Sequence, residues 1–133
     1  MKPFHLEIVT PDGLAFDGEA ESLLIRTEDG DAEILCGHAD FLASIGTGRV
    51  RLLIGAEPRY ASASGGFVSV KDGLVRVVAI TFEFAEDIDI NRAKNAKERA
   101  EMALKAAKDE REELIAKAKL ARAVSRINVS ELL

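Results

Sequence analysis

The glycines and prolines of this chain are confined to its first 73 residues. All ten glycines and all three prolines lie at or before Gly73, and the last sixty residues contain neither type. Gly and Pro are unfavourable inside a helix, by about 1 and 3 kcal/mol relative to Ala, and they mark turns. From about Asp89 onward, Ala, Lys, Arg, Glu and Leu dominate. We therefore predict a β domain over residues 1–85 and a helical domain over residues 86–133.

Charge is divided unevenly between these two parts. The 133-residue chain has a net charge of −5. Residues 1–88 contain 7 Lys/Arg against 15 Asp/Glu, a net −8, whereas residues 89–133 contain 11 against 8, a net +3. A basic tail on an acidic body indicates an anionic partner for the tail. Because the tail has no aromatic residue for base stacking, nucleic acid is not the expected partner.

The sequence predicts a soluble intracellular protein with no transmembrane segment. No apolar run approaches the roughly 18–20 residues that span a bilayer, and the first ten residues lack a signal-peptide pattern. A single cysteine, Cys36, permits no internal disulfide, which is typical of a reducing compartment.

Short alternating apolar runs fill the first domain. Clear period-2 alternation occurs in residues 4–9 and 23–27. Asp72-Gly73 lies between two such runs and predicts a hairpin, and Pro11-Asp12-Gly13 predicts a turn. We expect about eight to ten short strands in an all-β sandwich, with further strand candidates at residues 33–35, 49–54, 59–62, 66–71 and 74–82.

Two features of this domain resemble parts of enzyme sites. Cys36, His38 and Asp40 alternate and would lie on one face of an extended segment, but only His5 remains to complete a metal site. A loop-to-strand junction is therefore the favoured interpretation, and no catalytic or metal-binding residue is assigned. Residues 46–48, Gly-Thr-Gly, do not form the fingerprint of a dinucleotide-binding site, because its third glycine is missing. We predict a turn at these residues. Gly65-Gly66 predicts a bend where backbones approach closely.

Helical periodicity governs the second domain. Asp89 is the expected N-cap of a first helix. The charged run 108–113 predicts a turn, so the two helices form an antiparallel hairpin. Stripes of alanine bury little apolar area when two helices pair. The free energies of the folded-back and extended states should therefore differ by no more than the binding of a ligand can supply. The expected contact stripes are Ala93, Ala96, Ala100, Ala103 and Ala107 on the first helix and Leu114, Ala118, Ala121 and Ile127 on the second, with Val124 beside it.

Three arginines of the helical domain lack a local partner. No carboxylate lies three or four residues from Arg99, Arg122 or Arg126. Arg122 and Arg126 are one turn apart with Lys119 on the same side, and Arg92 shares a side of the first helix with Arg99. Two such faces could converge on phosphate or carboxylate. A solvated basic face remains the alternative.

Ordered motifs along the whole chain resemble the epsilon subunits of bacterial F-type ATP synthases. The segment Ile88-Asp89-Ile90-Asn91-Arg92-Ala93 is similar to the nucleotide-binding motif I/L-D-x-x-R-A of that family. Further matches occur at residues 7–13, 34–38, 64–67, 92–94 and 97–101. The resemblance implies a β-sandwich followed by a two-helix hairpin.

The resemblance also implies a function without catalysis. A subunit of this kind is part of the central stalk, or rotor, where it contacts the gamma subunit and the c-ring and couples ion transport, of protons or of sodium, to ATP synthesis. Its extended helices reach the alpha and beta subunits and inhibit ATP hydrolysis. The expected location is peripheral, on the cytoplasmic face of the bacterial cell membrane. A free-standing ATP-binding sensor is the alternative function.

The resemblance further implies a regulatory ATP site, with no required cofactor. Glu83, Ile88 and Asp89 would lie near the adenine and ribose. The phosphates would be held from both helices by Arg92, Arg99, Arg122 and Arg126.

Overall fold

The computed structural model describes residues 1–133 and contains seven strands followed by two helices. The α+β class, a β-sandwich and then a helical hairpin, is confirmed. The strands are β1 Phe4–Thr10, β2 Gly13–Ala20, β3 Ser22–Thr27, β4 Gly30–Ile34, β5 Phe41–Ile54, β6 Glu57–Lys71 and β7 Leu74–Phe84. A 3-10 turn, Ala85–Asp87, leads to α1 Ile90–Ala106 and α2 Glu110–Ser130.

The strands pair in the order β2-β1-β7-β6-β5-β3-β4. All neighbouring strands are antiparallel except β1 and β7, which are parallel. The two layers of the sandwich enclose one core of 18 buried apolar residues, all within residues 4–84. Because no helical residue belongs to this core, the sandwich completes its own hydrophobic interior without the hairpin.

The strands are fewer and longer than the eight to ten expected. The runs 59–62 and 66–71 belong to one strand, β6, because Gly65 and Gly66 bend the strand without ending it. β2 was not predicted, since its sequence GLAFDGEA lacks clean alternation. It is held instead by pairing with β1 along its length.

The predicted turn at residues 46–48 is wrong. These residues lie inside β5, and they are glycine-rich because the neighbouring strand crosses closely. A Cβ atom on Gly48 would lie 2.9 Å from Cβ of Arg26 on β3. The small residues therefore make room for a side chain and do not reverse the chain.

Two other glycine predictions are confirmed. Asp72 and Gly73 both have positive φ, 50° and 82°, as a two-residue hairpin between β6 and β7 requires. Gly66 has φ of +94°, and a Cβ there would overlap the carbonyl oxygen of Val78 on β7. The backbones of β6 and β7 thus approach too closely for any other residue at position 66.

Both helices begin at an aspartate cap. The Asp89 carboxylate accepts a hydrogen bond from the Arg92 amide at 3.1 Å, so the predicted N-cap is confirmed. Asp109 caps α2 in the same way through the amide of Glu112, at 2.8 Å. The turn occupies residues 107–109 only, and most of the charged run 108–113 is helical. Neither helix combines the length and apolarity needed to cross a bilayer.

The predicted contact stripe of α2 is wrong, whereas that of α1 is partly confirmed. Ala93 and Ala100 of α1 are buried, but Leu114 of α2 is 67% exposed. The buried residues of α2 are Ala116, Ala123 and Val129. Small residues occupy this face because α2 packs against both α1 and the sandwich, and close approach favours alanine.

Gly66 and Gly73 offer a matched test of the close approach. Gly66→Ala should lower the free energy of unfolding by more than about 4 kcal/mol, because backbone strain and overlap with Val78 add. Gly73→Ala has similar φ but nothing within 4 Å of its Cβ, so its cost should be only about 1–2 kcal/mol. Urea denaturation measures both, and equal costs would contradict the clash.

Candidate anion-binding site

The junction between the sandwich and α1 is held by an arginine of β6. Arg59 lies over the Phe84 ring at 3.5 Å, and its guanidinium is 2.7 Å from the Glu86 carboxylate. The pKa of Glu86 is lowered, first by a hydrogen bond from its own backbone amide and then by Arg59. The 3-10 turn is thereby attached to β6, which fixes where Ile88 and Asp89 begin the helical domain.

The placement of α2 depends on a contact with β6. The hydroxyls of Ser62 and Ser125 are 2.7 Å apart, and Ser62 is buried. Arg126 Nε lies 3.5 Å from the carboxylate of Glu83 on β7. These two links orient the C-terminal half of α2, so that Arg126 faces the end of β7 and the start of α1.

A cavity of about 430 Å³ lies between the end of β7 and α1. It combines acidic and basic groups, since carboxylates from the sandwich and the linker face arginines of the helices. Five predicted residues line it: Glu83, Asp89, Arg92, Arg99 and Arg126.

A second cavity of about 430 Å³ adjoins the first, between the facing sides of α1 and α2. Ala96, Arg99 and Arg126 line both cavities. The second is lined by alanines and by four cations with no carboxylate: Arg99, Lys119, Arg122 and Arg126. A polar group fits the first cavity, and a polyanion fits the second.

The charges of this site are unevenly compensated. Arg126 has no partner on its own helix, as the sequence indicated, but Glu83 approaches it from the sandwich, so Arg126 is not an unpaired cation. Arg92, Arg99, Arg122 and Lys119 have no carboxylate oxygen within 4.0 Å. The second cavity therefore carries excess positive charge that an anionic ligand would neutralise.

The structure brings six of the seven predicted site residues together. Ile88 lines neither cavity and lies half-buried beside the 3-10 turn. Asp12 and Asp87 also line the first cavity and were not predicted. No sequence signal marks Asp12, because it reaches the cavity through the parallel pairing of β1 with β7.

The Cys36, His38 and Asp40 segment is an exposed loop before β5, as its interpretation as a junction predicted. Its side chains serve local contacts. The His38 ring packs edge-on against Phe41 at 5.6 Å, and Asp40 accepts a hydrogen bond from the Asp72 amide at 3.2 Å. No group of three or more His, Cys, Asp or Glu residues is arranged to hold a metal ion.

Two family models match the chain in succession. The first, described as ATP synthase, Delta/Epsilon chain, beta-sandwich domain, matches residues 3–85. The second, described as ATP synthase, Delta/Epsilon chain, long alpha-helix domain, matches residues 86–131.

Relatives of the same kind match over nearly the full length. The chain is similar to the ATP synthase epsilon chain of Bacillus velezensis, with 40% identity over 130 residues covering 98% of each chain. It is similar to that of Halalkalibacterium halodurans, with 37% identity over 131 residues and the same coverage.

Solved structures share the fold. A chain in the cryo-EM structure of the Euglena gracilis mitochondrial ATP synthase matches with a TM-score of 0.81 and 22% identity, covering 98% of this chain and 82% of that one. A chain of the Tetrahymena thermophila mitochondrial ATP synthase central stalk and c-ring matches with a TM-score of 0.64 and 15% identity, covering 95% of each.

Removing the serine link should loosen α2 without unfolding the sandwich. Ser62→Ala leaves the Ser125 hydroxyl without its partner, at a cost of about 1 kcal/mol, so amide exchange in residues 110–130 should accelerate about fivefold. Exchange in β1 and β7 should not change. Ser69→Ala, seven residues further along β6, is the control, and equal exchange in both variants would contradict the link.

Proposed function

The chain belongs to the ATP synthase delta/epsilon chain family as an epsilon subunit, a non-catalytic part of the synthase, and we propose from this membership how it works there. It is a rotor subunit in the central stalk of a bacterial F-type enzyme, peripheral to the cytoplasmic face of the membrane. The sandwich binds the gamma subunit and the c-ring, so that ion-driven rotation is coupled to ATP synthesis. The helical domain regulates ATP hydrolysis.

An exposed apolar face of the sandwich supports the assignment of a protein partner. Leu42, Phe67 and Ile80 project outward from β5, β6 and β7, and they are 72%, 42% and 66% exposed. Phe67 pairs with Val78, two residues before Ile80, so these side chains share one face. Three neighbouring strands thus present apolar side chains to solvent, which marks an interaction surface. We assign this face to the gamma subunit.

The observation that carries the ATP proposal is a cluster of cations built by two helices. Arg99 comes from α1, whereas Arg122 and Lys119 come from α2, and none has a carboxylate within 4.0 Å. The cluster exists only while the helices are paired, because each contributes one wall. A triphosphate bound across both walls would therefore stabilise the folded-back hairpin.

The same cations support the inhibitory state. When the hairpin opens, Lys119, Arg122 and Arg126 are released from the pairing and the second helix presents a basic stripe. That stripe suits acidic segments of the alpha and beta subunits, where an extended helix would block hydrolysis. ATP and the catalytic head thus compete for one set of positive charges.

A free-standing ATP sensor is the second candidate, since it would use the same cation cluster. The apolar face of Leu42, Phe67 and Ile80 argues against it, because a monomeric sensor has no use for such a surface. Co-purification separates the two: the rotor subunit should bind an isolated gamma subunit, and a sensor should not.

Arg122→Ala should weaken ATP binding by the isolated chain about tenfold, because a charge-assisted hydrogen bond to phosphate is lost. Arg122 is a cleaner choice than Arg126, which also pairs with Glu83. The matched control is Arg111→Ala, an exposed arginine near the interhelical turn that lines neither cavity. Titration calorimetry measures the affinity, and an unchanged value in Arg122→Ala would count against the site.

A chain ending at Ile88 should fold and still couple the rotor while relieving inhibition. The sandwich core needs no residue of α1 or α2, so its thermal transition should remain cooperative. Reconstituted into synthase lacking its own epsilon subunit, the truncated chain should support ATP-driven proton pumping. Its rate of ATP hydrolysis should exceed that with the full chain, and equal rates would refute the inhibitory role.

A further inference from the structure

A larger cleft lies on the other side of α2 from the anion site. Its volume is about 700 Å³, in the range of small-molecule pockets, and it separates α2 from β3 and β5. At 100° per residue, the α2 positions that line it centre about 135° around the helix from Arg122 and Arg126. The same helix therefore forms a wall of two separate sites.

One wall of the cleft is largely aliphatic. Leu120, Val124, Val129 and Leu132 of the α2 region line it, together with the polar Lys117, Ser125 and Asn128 of the same helix. On the sandwich side the floor includes Gly48, over which the stem of the Arg26 side chain lies. A wall of four aliphatic side chains fits an aliphatic chain.

The rim of the cleft carries one uncompensated charge, and it is positive. Arg26 donates a hydrogen bond to Asp31 at 2.6 Å, which raises the pKa of Arg26 and lowers the pKa of Asp31. Lys117 is paired with Glu113 at 2.8 Å. Arg49 is exposed and has no carboxylate oxygen within 4.0 Å; it acts on Asp31 only at longer range, as the last of the causes that lower the pKa of Asp31, so it is the least compensated cation of the rim.

We propose that this cleft is a second ligand site, which binds a single-chain amphipathic anion such as a fatty-acid carboxylate. The aliphatic chain lies along Leu120 and Val124, and the carboxylate meets Arg49. An apolar wall ending at a free guanidinium matches this ligand class in both shape and charge. Neither nucleotide nor the cation cluster takes part, so the proposal stands apart from ATP regulation.

Because the cleft lies between α2 and the sandwich, a ligand bound there should affect the position of α2. Because the cleft exists only while α2 lies on the sandwich, a bound ligand is expected to stabilise that arrangement. The subunit would then have a second input to the folded-back state, which acts on the opposite face of the same helix.

Sodium decanoate is the probe, titrated without nucleotide into the full chain labelled with ¹³C at Leu and Val methyls. Saturable shifts should appear at Leu120, Val124 and Leu132. Decyltrimethylammonium, which has the same tail with a cationic head, should bind more weakly. Saturable shifts in that pattern support the site, whereas no saturation, shifts elsewhere or equal affinity for the cation overturn it.

Two variants test the two halves of the site by different means. Arg49→Gln removes the cation and should weaken decanoate up to about fivefold, the range of an exposed ion pair. Ala121→Trp fills the cleft from an exposed helix position and should abolish binding. Arg111→Gln, remote from the cleft, is the matched control. If Ala121→Trp does not fold, the proposal is tested by comparing the decanoate affinities of Arg49→Gln and Arg111→Gln, and equal affinities overturn it.

An experiment can distinguish failure of the proposed fatty-acid site from failure of the proposed ATP site. Arg122→Ala should bind decanoate with unchanged affinity, because Arg122 does not line the cleft. Loss of decanoate binding in Arg122→Ala, with α2 still docked by amide exchange, would overturn the separation of the two sites.

Discussion

The packing of α2 against both α1 and the sandwich is the interaction on which the rest of this structure depends. One side of the helix meets α1 through alanines, and another meets β6 through the Ser62–Ser125 hydrogen bond of 2.7 Å. The cation cluster and the cleft beside β5 both use α2 as a wall. Moving this one helix therefore dismantles two sites together, and anything that binds either site resists the movement.

The packing of α2 is also the weakest contact in the fold. The sandwich encloses 18 apolar residues, whereas the buried residues of α2 are two alanines and a valine, Ala116, Ala123 and Val129. At about 25 cal/mol per Å² of apolar area, such small side chains contribute little. A permanent body with a reversible attachment is consistent with the regulatory rotor function that we propose, in which the body would transmit torque and the attachment would respond to ligands and to charge.

Electrostatics make the reversible attachment selective. The hairpin places Arg99 of α1 beside Lys119, Arg122 and Arg126 of α2, and of these four cations only Arg126 receives a carboxylate, from Glu83. Like charges held together raise the free energy of the paired state, and a polyanion removes that cost. Positive charge therefore loosens the hairpin in the absence of an anion and tightens it in its presence. We propose that an acidic partner elsewhere in the synthase binds the same excess charge when the hairpin is open.

The sequence alone determined the features that local physics controls. The absence of Gly and Pro after Gly73 separated strands from helices, Asp72-Gly73 defined a hairpin, and Asp89 capped α1. The residues proposed for the anion site came from the family resemblance, and six of the seven line the two cavities. Only the tertiary structure decided that residues 46–48 remain in a strand, which face of α2 is buried, that Glu83 reaches Arg126, and that Arg49 borders an apolar cleft. Each of these depends on contacts between residues far apart in the chain, whose geometry no local periodicity encodes.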